Sequence, residues 1–204
     1  MNSSESWLQP RIHVGESVRL EPLVLDHVDA IWAVADFDDL WTWMPYRMTC
    51  RDDVAEMVAQ ALEWPATDWG QAFVQVAVDA EKVCGMTCYL NADAANRRVE
   101  IGGTWITSAF QRTRVNTEAK LLLLRDAFGQ LGAKRVEWKT DSANARSRAA
   151  IARLGATEEG TLRNHMIRPD GTMRHSTYFS VIREEWPGVE QRLQRLLAGR
   201  PARA

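Results

Sequence analysis

Residues 104–120 read TWITSAFQRTRVNTEAK, and the fold is decided here. Thr104 to Thr107 closes a β-branched and aromatic run that reads as a strand; a short polar loop follows, and a helix begins near Thr117. A helix N-terminus presents unpaired N–H groups and a partial positive charge, which together make an anion site. Arg112 and Arg114 on the approach add charge suited to a diphosphate. The loop contains no glycine, so it is not a P-loop, and no GxGxxG motif supports dinucleotide binding. The same letters read equally well as a plain strand-to-helix loop with two surface arginines.

Upstream, residues 17–23 alternate with Val18 and Leu20 inward, a first strand. Asp26 is placed to cap a helix over 27–35, and Thr49 to cap a second one, with Asp52 at the positive end of its dipole. Residues 37–48 form an aromatic loop in which Pro45 blocks helix. Residues 73–78, 83–90 and 98–107 read as strands, the last with a Gly102-Gly103 pair that predicts a bulge. Downstream come a helix over 117–131, a strand over 135–140 and a helix over 143–154 stopped by Gly155. Two strands then flank the turn at Arg168-Pro169-Asp170-Gly171, and a last helix opens at Pro187. The architecture expected is one α/β (α+β) domain, a mixed, splayed, largely antiparallel sheet flanked by helices. The domain spans residues 18–183, with an N-terminal extension over 1–17 and a C-terminal helix and tail over 184–204.

The 204 residues, 46% hydrophobic and 25% charged, suit a folded domain with its own core. No apolar run approaches the roughly 18 residues of a membrane span, and the start lacks a signal-peptide pattern, so a cytoplasmic protein is expected. Cys50, Cys84 and Cys88 carry no metal-ligand spacing, and neither a metal nor a disulfide is expected. The net charge of −2 argues against nucleic acid as primary partner. The charge is uneven, however. Residues 111–153 hold ten Lys and Arg against four acids, a local +6 that leaves −8 for the rest. A basic segment on an acidic body fits a localised anionic ligand and a cationic second ligand elsewhere; two helices with solvated basic faces would look the same.

The loop Gln111-Arg112-Thr113-Arg114-Val115-Asn116 between strand and helix resembles the acetyl-CoA pyrophosphate loop of GCN5-related N-acetyltransferases (GNAT). Further cues are Asn116-Thr117-Glu118-Ala119-Lys120-Leu121, Asn144-Ala145-Arg146-Ser147, the hairpin Glu159-Gly160…Arg163…Pro169-Asp170-Gly171…Arg174, and Glu184-Glu185-Trp186-Pro187-Gly188. Within the superfamily the sequence is most similar to the RimJ/RimL-like group of N-terminal amine acetyltransferases. It departs from the usual loop at Arg114 and Asn116, where glycine or alanine is common. Arg114 could point outward and still donate its backbone N–H, and Asn116 tolerates unusual backbone angles.

The resemblance implies acetyl-CoA as co-substrate, held by Gln111, Arg112, Arg114, Val115, Asn116 and Thr117 at the diphosphate, by the backbone of Trp105, Ile106 and Thr107 along the pantetheine, and by Asn144. Glu100 matches a position that often holds a glutamate base; it reads equally as an outward carboxylate paired with Arg97 or Arg98. No tyrosine occupies the usual acid position near Ile151, and Ser147 is the implied substitute beside the sulfur. Its alternative is a first-turn serine bonding backbone. Trp41, Trp43, Met44 and His165 are the candidates for the acceptor pocket, with Trp41 and Trp43 facing one way if their segment is extended. The expected activity is acetyl transfer to a primary amine, on a small molecule or a peptide, by direct attack in a ternary complex. A catalytically weak acyl-CoA-binding module and an interaction module are the alternatives, and a homodimer is left open.

Overall fold

A computed structural model describes residues 7–35, 41–44, 46–168 and 170–199. Pro45, Pro169, residues 37–40 of the aromatic loop and the tail from 200 lie outside the described residues. The chain runs β1 (His13–Val14), β2 (Val18–Pro22), α1 (Val28–Ala35), α2 (Arg51–Leu62), β3 (Gln71–Ala77), β4 (Lys82–Asp93) and β5 (Arg98–Ile106). It continues through α3 (Val115–Arg125), β6 (Arg135–Asp141), α4 (Ala145–Leu154), β7 (Thr157–Ile167), β8 (Met173–Ile182) and α5 (Trp186–Ala198). Among the described residues, no helix is long and apolar enough to cross a membrane.

The eight strands form one open sheet in the order β1-β2-β3-β4-β5-β6-β8-β7. Every neighbouring pair is antiparallel except β5 and β6. That parallel pair is short: Arg98, Val99 and Glu100 face Arg135, Val136 and Glu137, and the strands then part. Beyond them β5 stays with β4, and β6 follows β8 as far as Asp141 opposite Ser176. The expected splayed, largely antiparallel sheet is therefore present, with its opening between β5 and β6.

Alternation along the strands sorts side chains into two cores. Val99, Ile101, Val136, Trp138, Phe179 and Val181 face α3, α4 and α5. Val74, Val76, Met86 and Cys88 face α1 and α2 on the other side. That second core contains no residue of β6, β7 or β8, so the opposite face of those strands carries polar side chains instead of a helix.

The Gly102-Gly103 pair does mark a bulge. Cys88 faces Gly102 and Met86 faces Trp105, so one residue on β4 opposes two on β5. Gly103 takes φ +57, a left-handed conformation a side chain would strain. The extra residue reverses the alternation: Ile101 packs with the α3 core, yet Trp105 packs with the α1–α2 core.

Two caps differ from expectation. Asp26 lies inside a 3-10 turn, whose start is held by the Val24 N–H donating to His27 Nδ1. At α2 the N-cap is Cys50 and not Thr49; Asp52 does lie in the first turn, and Asp53 beside it is the carboxylate that closes the cap. It accepts from the N–H and hydroxyl of Thr49 and from the Cys50 N–H, and these bonds push its pKa down to about 2. The helix expected near Thr117 begins at Val115.

Helix α3 fastens the start of the sheet through Glu118. Its buried carboxylate accepts from the backbone N–H groups of Glu16 (2.9 Å), Ser17 (2.6 Å) and Val18 (3.1 Å). Gly15 allows the approach, since a Cβ there would meet Glu118 Cδ at 2.6 Å. Removing a buried carboxylate that satisfies three donors costs about 2–4 kcal/mol. Glu118→Ala should lower the urea midpoint accordingly, and Gly15→Ala should do so by displacing the same carboxylate.

Candidate active site

The parting of β5 and β6 makes a crevice outside the carboxyl ends of two parallel strands, the place where open α/β sheets bind ligands. Helix α3 follows β5 and helix α4 follows β6, so both helix N-termini lie beside the opening. Gln111 draws the loops together: its Nε2 donates to the Ile106 carbonyl at 2.9 Å, and Arg146 of α4 donates to its Oε1 at 3.4 Å. Arg153 of α4 donates to the buried Thr117 hydroxyl at 2.9 Å.

At the start of α3, Thr113 and Arg114 take the turn into the helix, and Arg112 sits at φ +61. Arg114 turns away, its guanidinium 2.7 Å from Glu16 Oε2, so from this residue only the backbone faces the loop. Asn116 Oδ1 is buried and has no partner, and Val115 is packed in the core. At α4 the Asn144 side chain caps the helix, accepting the Ser147 N–H at 2.9 Å. The first turn of α4 has no acid and carries Arg146, where the helix dipole favours the opposite sign. An arginine there adds to an anion site more than it helps the helix.

Glu100 sits at the point where the strands diverge, 3% exposed. Its Oε2 accepts from Lys139 at 2.9 Å and Asn91 at 2.7 Å, not from Arg97 or Arg98; Arg98 pairs with Asp93. Tyr178 stands opposite Lys139 on β8, and burial raises its phenol above the ordinary value. His165 is exposed, with Nδ1 3.0 Å from Ser176 Oγ and its ring edge-on to Tyr178.

Trp41 and Trp43 separate. Trp41 is buried, donates Nε1–H to the Ala35 carbonyl and packs edge-on against Trp105. Trp43 and Met44 instead line a cavity of about 20 Å³ with Asp141, Ile167 and Arg174. The segment turns back between the two tryptophans, Met44 N–H donating to the Trp41 carbonyl. Two residues apart therefore do not share a side.

Sequence reasoning did not single out Lys139, Tyr178 or Lys120 for the site. Lys120 lies under the bulge, 2.6 Å from Thr104 Oγ1 and 2.8 Å from Thr87 Oγ1, and these hydroxyls bond each other at 2.8 Å. Burial pushes its ammonium from 10.5 down to about 7, with the nearby Cys88 thiol acting weakly the other way. A lysine in an apolar helix stretch reads as solvated, and only the bulge above it gives it a buried place.

A GNAT acetyltransferase domain model matches residues 17–157. A Bacillus subtilis protein named "Putative ribosomal N-acetyltransferase YdaF" is 35% identical over 106 residues, 52% of this chain. The match spans only 57% of that relative's length. A crystal structure of a GCN5-related N-acetyltransferase from Brucella melitensis superimposes with TM-score 0.87 at 31% identity, covering 94% of this chain and 87% of that one. Mycobacterium smegmatis RimJ, solved in complex with CoA-disulfide, shares the fold with TM-score 0.77 at 24% identity, covering 94% and 93%.

The low folded pKa of Lys120 sets a sign for stability against pH. Between about 7 and 10.5 the unfolded chain holds a proton that the folded chain has released, so stability rises with pH there. Cys84 and Cys88, raised from 9.0 to about 12, act oppositely above pH 9. Lys120→Met should flatten the rise in Tm between pH 7 and 9 and leave the protein at least as stable at pH 6.

Proposed function

The chain belongs to the GNAT acetyltransferase family, and from that premise we propose that it transfers acetyl from acetyl-CoA to the primary amine at a protein or peptide N-terminus. The observation that carries this reading is the opening between β5 and β6 beyond Glu100, with the α3 N-terminus at its mouth. The ribosomal N-acetyltransferase and RimJ names of similar proteins support a peptide acceptor.

In this proposal the backbone of β5 past its pairing with β6, at Trp105 and Ile106, meets the pantetheine arm; Thr107, the third residue expected there, has its N–H on the Cys84 carbonyl and its carbonyl on the Phe110 N–H. The N–H groups at the start of α3, with Asn116 and Arg146, hold the diphosphate; Gln111 keeps that loop in place. Arg112 flanks the loop as a further cation, and Arg114 contributes its backbone. Asn144 Oδ1 is taken by its capping bond, so its Nδ2 is the group left to donate to the ligand.

The acceptor nitrogen attacks the thioester carbon, a C–N bond forms, and the C–S bond breaks. A backbone N–H on the β5 edge stabilises the developing oxyanion. The amine proton passes through water to Glu100, whose charge is held by Lys139. Ser147, whose N–H is fixed to Asn144, orients or protonates the departing thiolate. Trp43 and Met44 wall the acceptor side, and His165 is proposed to reach it beside Tyr178.

Incubating the protein with acetyl-CoA and an N-terminal peptide should release CoA in step with acetylated product. A binding module without catalysis would give a thermal shift and no product. Acetyl-CoA at 100 times its Kd should stabilise the fold by about 2.7 kcal/mol. Ser147→Ala should lower kcat while sparing acetyl-CoA binding. If Tyr178→Phe lowers kcat and Ser147→Ala does not, the proton comes from Tyr178.

A further inference from the structure

Among the described residues nearest the crevice, cations outnumber carboxylates by one, while Arg135 and Glu137 further along β6 pair with each other. Near the crevice stand Lys139, Arg168 and Arg174, against Glu100 and Asp141. Both acids are already engaged. Asp141 Oδ2 accepts from Arg168 Nε at 2.8 Å and lies 2.7 Å from its Nη2, while Oδ1 accepts the Ala143 N–H at 2.9 Å. Glu100 Oε2 is held by Lys139 and Asn91.

Arg174 is left over. Its Nε is buried without a hydrogen-bond partner, and no carboxylate among the described residues lies within ion-pairing distance. Burial lowers its pKa, which Asp141 and Glu100 offset from a distance and Arg168 reinforces. Arg174 is half-buried, and a buried donor given no acceptor is costly, because Nε has lost water and gained no partner. The side chain lines the same small cavity as Trp43 and Met44, and that cavity has room for about one water. It is therefore a charged wall beside the acceptor side of the crevice, not a closed chamber.

We propose that Arg174 is a specificity-determining residue that receives an anionic group, a carboxylate or a phosphate, carried by the acceptor close to its reacting amine. The planar fork of Arg174 suits such oxygens, and Trp43 supplies an apolar wall for the atoms between anion and amine. The excess of one positive charge counted among the described residues is then neutralised when such an acceptor is present. This inference rests on the acetyltransferase reading with a peptide acceptor, and it adds the chemical class of that acceptor.

The test uses four amidated peptides that begin with alanine and differ only in the second residue: glutamate, phosphoserine, glutamine or lysine. Acetylation by the wild-type protein should give a kcat/KM at least about tenfold higher for glutamate or phosphoserine than for glutamine, mostly through KM, with lysine lowest. The better of the two anionic peptides identifies the source as carboxylate or phosphate. Arg174→Gln should bring the glutamate-to-glutamine ratio close to one, and Arg174→Lys should restore part of it by charge without the fork. Melting temperature and the acetyl-CoA thermal shift report whether each variant is folded. Equal rates for glutamate and glutamine peptides in the wild type overturn the inference alone. So does an Arg174→Gln variant that lowers all four rates by one factor. Should Arg174→Gln fail to fold, the wild-type ratio and Arg174→Lys decide the matter. A folded protein that binds acetyl-CoA and acetylates none of the peptides overturns the peptide reading and the inference built on it.

Discussion

The three-residue pairing between β5 and β6 is the constraint on which the rest of the molecule depends. A parallel pair needs a crossover, and α3 supplies it. Pairing only Arg98–Glu100 with Arg135–Glu137 holds two halves of the sheet together at one end and releases them at the other. The halves then follow different partners, β5 with β4 and β6 with β8. Their carboxyl ends diverge, and the loops leading to α3 and α4 meet across the gap. The crevice is thus a consequence of strand order and register, and it exists before any ligand is considered.

Helix α3 carries five consecutive residues with five different duties. Asn116 presents an unpartnered polar atom at the helix start, and Thr117 ties the helix to α4 through Arg153. Glu118 holds the turn between β1 and β2, Ala119 packs in the core, and Lys120 supports the bulge in β5. A helix places consecutive residues about 100° apart, so one short run can face the loop, a helix and two parts of the sheet. The geometry of the crevice mouth and the attachment of the N-terminal strands are therefore coupled through one and a half turns of helix. Damage at Glu118 would reach the site through this helix without touching a ligand.

The two faces of the sheet divide packing from chemistry. Toward α3, α4 and α5 the strands present apolar side chains and form the larger core. On the other face, α1 and α2 cover only the N-terminal strands, so Glu100, Lys139, Asp141, Arg174 and Tyr178 stand beside one another without a helix above them. Their charges are close enough to order one another: Glu100 and Asp141 each have a cation, and Arg174 has no acid at ion-pairing distance among the described residues. Desolvation makes such pairing matter far more here than on an open surface. The bulge at Gly103 joins the two regimes, because it turns Trp105 into the α1–α2 core while leaving Thr104 to Lys120.

The sequence by itself determined what depends on neighbours along the chain. Alternation marked most strands, Gly155 marked the end of α4, and the glycine pair marked the bulge. The loop at Gln111–Asn116 together with the ordered cues at residues 116–121, 144–147, 159–174 and 184–188 was enough for the family resemblance. The same local signals placed Glu100 on the strand leading to the crevice, but they offered Arg97 or Arg98 as its partner, and the partner is Lys139, 39 residues away. They also set Trp41 and Trp43 on one side, where a turn sends one into the core and the other to the crevice wall. Lys120, Tyr178 and Arg174 take their meaning from elements distant in sequence. Periodicity states which face of an element a side chain occupies; which residue stands across from it depends on the register of strands that meet only when the sheet assembles. Burial, and with it the shifted charge of Lys120 and the unanswered one of Arg174, was decided there by the tertiary structure.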